Sequence, residues 1–399
     1  MRVGTWPGPS KLVLSAAVMF SATMVVALAA PRVPAIQDRP AGGIDGKTIF
    51  RFDTFGDEQL WTDTLGMNAV IQSSVSPVTA LGVGLKVDAS AVPQGFLASH
   101  DLNDPATTVQ LIGLNAVVGV VGQVSGGQLQ SVGITCALCH STVDDSVAPG
   151  IGARLDGWPN RDLNPGAIIA LSPAVPAEQK AVYNAWGPGR YDPRFNIDHI
   201  NGPVPIPPAY GLQKVVFETA TGDGPIAYWN NYVAVTQMGG HGGFSDPRIG
   251  ISITQTPDLV TPVLPALVQY ELTLTAPPPP AGSFDQQAAR RGKAVFMGQA
   301  GCVSCHQPPA FTDVLRGPRA DRPRLHDPEE VGQDPTYANR SATKQYRTTP
   351  LRALWQHAPY FHDGSAATLQ AVVDHYDQLF GLGLTDAQRA DLIEYLKSL

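Results

Sequence analysis

The four cysteines of this chain fall in two frames of one pattern, Cys136-Ala137-Leu138-Cys139-His140 and Cys302-Val303-Ser304-Cys305-His306. Each is a Cys-x-x-Cys-His unit, the attachment pattern of c-type haem. Two thiols about one helical turn apart can add to the two vinyl groups of one porphyrin, and the adjacent histidine then sets an imidazole nitrogen beneath the iron. The pattern assigns two covalent haems to Cys136, Cys139, Cys302 and Cys305, with His140 and His306 as proximal ligands. A zinc site built from all four thiols is the nearest structural alternative, and the histidine trailing each pair argues against it. Two disulfides would leave both the spacing and the histidines unexplained.

Covalent tethering suits an exported protein, and residues 1–29 have the parts of a secretory signal. Arg2 and Lys11 precede the apolar run Leu12–Leu28, and Ala27-Leu28-Ala29 puts small residues at the −3 and −1 positions of a cleavage site. The alternative is an uncleaved anchor, because the run approaches the length of a membrane span. Cleavage after Ala29 takes Arg2 and Lys11 from the 27 basic residues and none of the 34 acidic ones, so the net charge moves from −7 to −9. A negative surface argues against a nucleic-acid partner and permits a basic partner protein. The expectation is a periplasmic protein with no membrane contact after cleavage and a small electron-donor protein as partner. The residues leave the oligomeric state open, and they do not call for calcium.

With 40 Gly, 36 Pro and only 15% charged residues, against roughly 25% charged in typical soluble domains, the chain reads as mainly α and loop-rich. It divides into two cytochrome c-like haem domains. The first, residues 30–276, carries an N-terminal β-rich addition: one helix is expected around Arg51 to Ile71. Leu111–Val124 and Leu129–Ile134, joined by Ser125-Gly126-Gly127, read as a β-hairpin entering the first motif. Residues 277–282 contain Pro277-Pro278-Pro279-Pro280, a stiff linker. The second domain, 283–399, opens with a capping box at Ser283-Phe284-Asp285-Gln286. It also holds a helix over Thr368–Phe380 and a last helix with a capping box at Thr385-Asp386-Ala387-Gln388 and one apolar face of Leu392, Ile393, Leu396 and Leu399.

Arg291-Gly292 ahead of the second motif, Thr349-Pro350-Leu351-Arg352, and above all Ala358-Pro359-Tyr360-Phe361-His362-Asp363-Gly364-Ser365 with Thr368-Leu369 carry a resemblance. Over its C-terminal ~120 residues the chain resembles the bacterial di-haem cytochrome c peroxidase superfamily, which includes the di-haem enzyme of methylamine utilisation. The Phe-Trp-Asp-Gly-Arg-like stretch of the peroxidases has no close counterpart after the first motif, where Tyr228-Trp229-Asn230-Asn231-Tyr232 stands in a comparable place. The resemblance implies a sixth ligand for the second haem about fourteen residues past His362, Met in the peroxidases and Tyr in the methylamine-utilisation enzyme. That count lands on Tyr376, with His375 beside it and no Met after Met297. His362 itself is implied near a haem edge, as a catalytic candidate, or else as a brace for its turn.

For the first haem the distal candidates are Met238 and His241, in the Gly-flanked Gln237-Met238-Gly239-Gly240-His241 stretch, with His100 and His199 weaker. Trp158, Trp186, Trp229 and Trp355 are relay candidates or simply core. The functional expectation is reduction of hydrogen peroxide. The alternatives are an electron carrier with two six-coordinate haems, or an enzyme oxidising a protein or organic substrate.

Overall fold

The computed structural model describes residues 45–399 apart from 214, 216, 218 and 315–323. The secretory signal, its cleavage site after Ala29 and the lead to residue 44 lie outside the described residues.

Where one helix was expected around Arg51–Ile71 there are three short pieces: Gly46–Phe52, a π-helical turn at Gln59–Thr64, and Met67–Ser74. Asp45 caps the first, its carboxylate accepting from the N–H groups of Lys47 and Thr48. Gly66, at φ +66°, interrupts the second and third with a left-handed conformation that a side chain would resist. The β-hairpin is present as Val120–Ser125 paired antiparallel with Gln128–Ile134 around Gly126-Gly127. Its first strand starts at Val120, because the upstream part of the apolar run belongs to the helix Pro105–Gly113. Asp104 caps that helix and Pro105 supplies the fixed φ of its first position. Among the described residues every sheet has two strands, so the architecture is helical and loop-rich with small sheets.

The C-terminal part is built on the helices Gln286–Met297, Leu369–Phe380 and Asp386–Lys397. The last begins with the capping box of Thr385 and Gln388. The helix before the haem motif does not begin with one. Its cap is Asp285, which accepts from Gln287 and Ala288 N–H, so Ser283 lies too far upstream to serve. Gln286–Met297 and Asp386–Lys397 cross backbone to backbone at Gly292, where a Cβ would stand 1.9 Å from the Asp391 carbonyl oxygen.

Three apolar clusters pack on three of the cysteines. Phe50, Phe55, Tyr232, Met238 and Leu267 belong to the cluster that packs on Cys136. Trp61, Val109, Leu111 and Leu163 belong to the one on Cys139. Phe296, Leu354, Val373 and Leu396 belong to the one on Cys302. Segments on either side of the prolines at 277–280 are tied by buried ion pairs. Arg340 donates to both oxygens of Asp192, at 2.9 and 3.0 Å, and to both of Asp198, at 2.7 and 3.0 Å.

Gly292→Ala should force the two crossing helices apart and lower stability by about 1–3 kcal/mol, the usual range for overpacking. Denaturant unfolding checks this. An unchanged midpoint would mean that the helices do not touch there.

Candidate haem sites

Ala137–His140 forms a single helical turn, with His140 N–H donating to the Cys136 carbonyl. That turn puts Cys136 and Cys139 side by side. The second motif repeats the arrangement with a tight turn over Cys302–Ser304 and His306 N–H on the Cys302 carbonyl. No disulfide joins any of the four cysteines.

Both histidines are oriented in the same way. His140 Nδ1 lies 3.0 Å from the Pro207 carbonyl oxygen, and His306 Nδ1 lies 2.9 Å from that of Phe311. A carbonyl can only accept, so Nδ1 carries the proton and the lone pair is on Nε2. Burial holds both imidazoles neutral: His140 is lowered to about 4, and His306 is also lowered. A neutral imidazole with its Nδ1–H fixed on a carbonyl is what an iron ligand requires. The residues present therefore fit covalent haem c.

On the helix Leu369–Phe380, Tyr376 faces the second motif. Burial first, and then the sulfurs of Cys302 and Cys305, push its hydroxyl up to about 12. Its ring packs edge-on to Phe361, with centroids 5.8 Å apart, and stacks with Phe380. His375 is directed elsewhere, with Nε2 3.1 Å from the Val331 carbonyl oxygen. His362 sits against Tyr337 and Tyr346. The Tyr346 hydroxyl donates to the Asp334 carbonyl, so His362 donates from Nε2 to that hydroxyl at 2.8 Å, and its Nδ1 lies 3.3 Å from the Gln333 side-chain amide. Both ring nitrogens are thus spent on bracing the loop Gln333–Tyr346 against the Phe361–Gly364 turn.

Near the first motif, Met238 is buried in the cluster that holds Cys136, and its carbonyl accepts from the Trp61 indole at 2.9 Å. It closes a π-helical turn, Ala234–Met238. His241 is pinned by Nδ1 to the Pro257 carbonyl at 2.6 Å. His100 is bonded to Phe96 O and His199 is exposed at a helix end. Of the tryptophans, Trp158 and Trp355 meet edge to face with centroids 5.9 Å apart. Trp186 packs among Tyr183, Tyr191 and Phe195, and Trp229 stacks on Tyr232.

A family model described as Cytochrome c matches residues 289–399. The methylamine utilization protein MauG of Methylorubrum extorquens is 30% identical over 162 residues, covering 34% of this chain and 43% of that protein. Cytochrome-c peroxidase IdrP1 of Denitromonas iodatirespirans is 28% identical over 150 residues, covering 28% and 40%. Cytochrome c551 peroxidase of Nitrosomonas europaea is 30% identical over 124 residues, covering 27% and 35%. Residues 289–399 thus match a cytochrome c domain, and part of the chain is similar to MauG and to cytochrome-c peroxidases. The chain spans less than half the length of these curated relatives.

Two features of the sites were not anticipated from sequence. Tyr191 is buried beside Cys139, which with burial raises its hydroxyl well above the ordinary range. It donates to Gln237 Oε1 at 2.8 Å, and Gln237 donates on to Asn196 at 2.9 Å. This places a polar chain in an otherwise apolar pocket. Only the position of Gln237 beside Met238 hinted at it. In the cytochrome c domain, ligand atoms of Cys305, Asp313 and His326 lie within 4.8 Å of one another. A thioether bond to haem takes the Cys305 sulfur out of any such ligand set. What remains is buried His326, 3.6 Å from Asp313 and 3.0 Å from Glu330.

Asp313 first, then the Cys305 sulfur while it is a free thiol, and Glu330 raise His326 to about 10, against roughly 6.5 when unfolded. The imidazolium therefore stabilises the fold below about pH 6.5, and this contribution is lost as pH rises through about 10. His326→Gln should be less stable than the parent at pH 7 and should lose less on going to about pH 10. Equal slopes of stability against pH in the two proteins would refute this.

Proposed function

We propose that this chain is an exported di-haem c-type oxidoreductase that reduces hydrogen peroxide with electrons from a small redox protein. The observation that carries the reading is the matched orientation of His140 and His306, each with Nδ1 committed to a carbonyl. Cys136, Cys139 and His140 hold one haem, and Cys302, Cys305 and His306 the other. When bound, the haems supply the iron at which peroxide reacts and the store for incoming electrons. The names of the relatives support a peroxidase-like chemistry.

The chain's own residues divide the work. Peroxide takes two electrons and two protons to give two waters, so one pocket needs polar groups that can hold and relay protons. Tyr191, Gln237 and Asn196 supply a hydrogen-bonded chain at the first motif. At the second motif Phe296, Leu354 and Val373 belong to the apolar cluster on Cys302 and Tyr376 is turned to the cysteines, while His326 and Asp313 stand beside Cys305. That is the better place for an electron-receiving centre. The Trp158–Trp355 pair bridges the segments that follow the two motifs.

A second reading, oxidation of a protein or organic substrate, is favoured by Tyr376 standing where the peroxidases of the superfamily have Met. The chain should contain two haems, and the reduced protein should consume peroxide faster than free haem. Peroxide-driven substrate oxidation without an electron donor, and no donor-dependent turnover, would favour the second reading. Two low-spin haems indifferent to cyanide in the oxidised and half-reduced states would sink both. Tyr376→Met should raise the potential of one haem, because Met ligation favours ferrous iron. Spectroelectrochemistry checks this, and an unmoved potential would mean that Tyr376 is packing only.

A further inference from the structure

The segment after the first motif and the segment before Pro359-Tyr360-Phe361-His362 meet along a seam. Trp158 touches Trp355 there, and Arg161 Nη2 donates to the His357 carbonyl at 3.2 Å. The seam contains an unusual concentration of unused polar atoms. Arg161 Nε and Nη1, Trp355 Nε1 and His357 Nε2 are all buried without a hydrogen-bond partner among the described residues. Among the described residues no carboxylate pairs with Arg161. The groups that act on its charge are the hydroxyls of Tyr210 and Tyr360, and burial weakens its hold on its proton. A buried guanidinium with two idle N–H groups is costly unless an anion meets it. A planar pair of oxygens matches that fork best. Trp355 Nε1 can only donate, so it asks for an acceptor as well.

We propose that this seam is a receptor for one haem propionate, held by Arg161 from one side and by Trp355 and His357 from the other. The proposal rests on the di-haem reading above. A haem is the carboxylate-bearing group that the two motifs bring into the molecule, and the seam is assembled from the stretches that follow each motif. A propionate there gives Arg161 its counter-charge and accepts from the Trp355 indole. Burial together with Arg161 and Arg352 lowers His357 to about 3, so it enters the contact as a neutral imidazole. The carboxylate would bond to residues of both segments at once, so loading the cofactor completes the packing between them. The guanidinium would also offset the propionate charge, which otherwise repels an electron arriving at the iron. Arg161 is thereby a positioning residue for that haem and sets its potential.

The test uses the full chain with haem loaded. Haem content and the potential of each haem are measured for the parent and for Arg161→Gln, Arg161→Lys and Trp355→Phe. Arg161→Gln should make one haem at least tenfold harder to reduce, about 59 mV for one electron, and leave the other unmoved. Arg161→Lys should restore most of the shift, and Trp355→Phe, which keeps an aromatic ring there, should move the same haem by less. The haem that responds is the owner of the propionate. Two haems per chain with both potentials unmoved in Arg161→Gln and Trp355→Phe would overturn the proposal while leaving the di-haem reading intact. Fewer than two haems in the parent would remove that reading itself. Acetate added to the parent distinguishes the other source of a carboxylate. A saturable acetate effect on potential that Arg161→Gln abolishes would show a site open to soluble anions and overturn the propionate assignment.

Discussion

The hydrogen bond from an imidazole Nδ1 to a backbone carbonyl, made twice, sets what the rest of the fold must do. At the second motif it is local, because Phe311 lies five residues beyond His306 and its carbonyl turns back on the ring. A compact cytochrome c domain suffices there. At the first motif the carbonyl belongs to Pro207, 67 residues away. Bringing it in requires loops that close on the motif. Gly157 N–H bonds to the His140 carbonyl, Asn160 N–H to that of Cys139, and Ala209 N–H to that of Gly157. Here lies the physical reason for the Pro- and Gly-rich region between the motifs: backbone donors and carbonyls from distant turns are positioned around one imidazole.

The chain has few charges, and it buries several of them among residues 190–223 and 336–347. Arg340, paired with Asp192 and Asp198, joins residues 336–347 to residues 190–223, and Asp223, paired with Arg194, also accepts from the Ala342 N–H. Pairs of this kind contribute little net stability, because desolvation offsets the attraction. Their geometry is demanding, however. Asp192 also accepts from the N–H groups of Arg194, Phe195 and Gly202, so only one docking satisfies every partner. Arg161 breaks the pattern, since its neighbours are aromatic rings and carbonyls. The seam around Trp158 and Trp355 is therefore set apart from the ion-paired region on electrostatic grounds.

Covalent chemistry was legible in the sequence because attachment needs fixed spacing, and a motif written within five residues survives any surrounding fold. The terminal helices were legible for the same reason: Thr385 and Gln388 make their reciprocal cap within one turn. Errors arose where local pattern was ambiguous. Leu111 and Ile112 read as strand but lie on a buried helix face, since a short apolar run has no decisive period. Ser283 and Asp285 are both good caps, and the helix start chose Asp285. Tyr191, Gln237, Arg161 and His357 were out of reach, because each acquires its role from a partner tens of residues away. His326 was missed although one of its partners, Glu330, lies only one helical turn on in sequence.

The helix Leu369–Phe380 shows how packing can select between two adjacent ligand-competent side chains. Leu369 and Val373 are buried, and Tyr376 continues their stripe at the i, i+4, i+7 spacing. His375 is one residue off, about 100° around the axis, and meets the Val331 carbonyl instead. The core therefore fixes which of two adjacent ligand-competent side chains faces Cys302 and Cys305. Burial keeps the Tyr376 hydroxyl protonated, pushed up to about 12, so a phenolate there needs a strong positive charge beside it. Ferric haem carries more of that charge than ferrous haem. In the di-haem reading, loss of an electron from the second centre and loss of the Tyr376 proton then favour each other. A methionine at the same position carries no proton to exchange and would leave the two events independent.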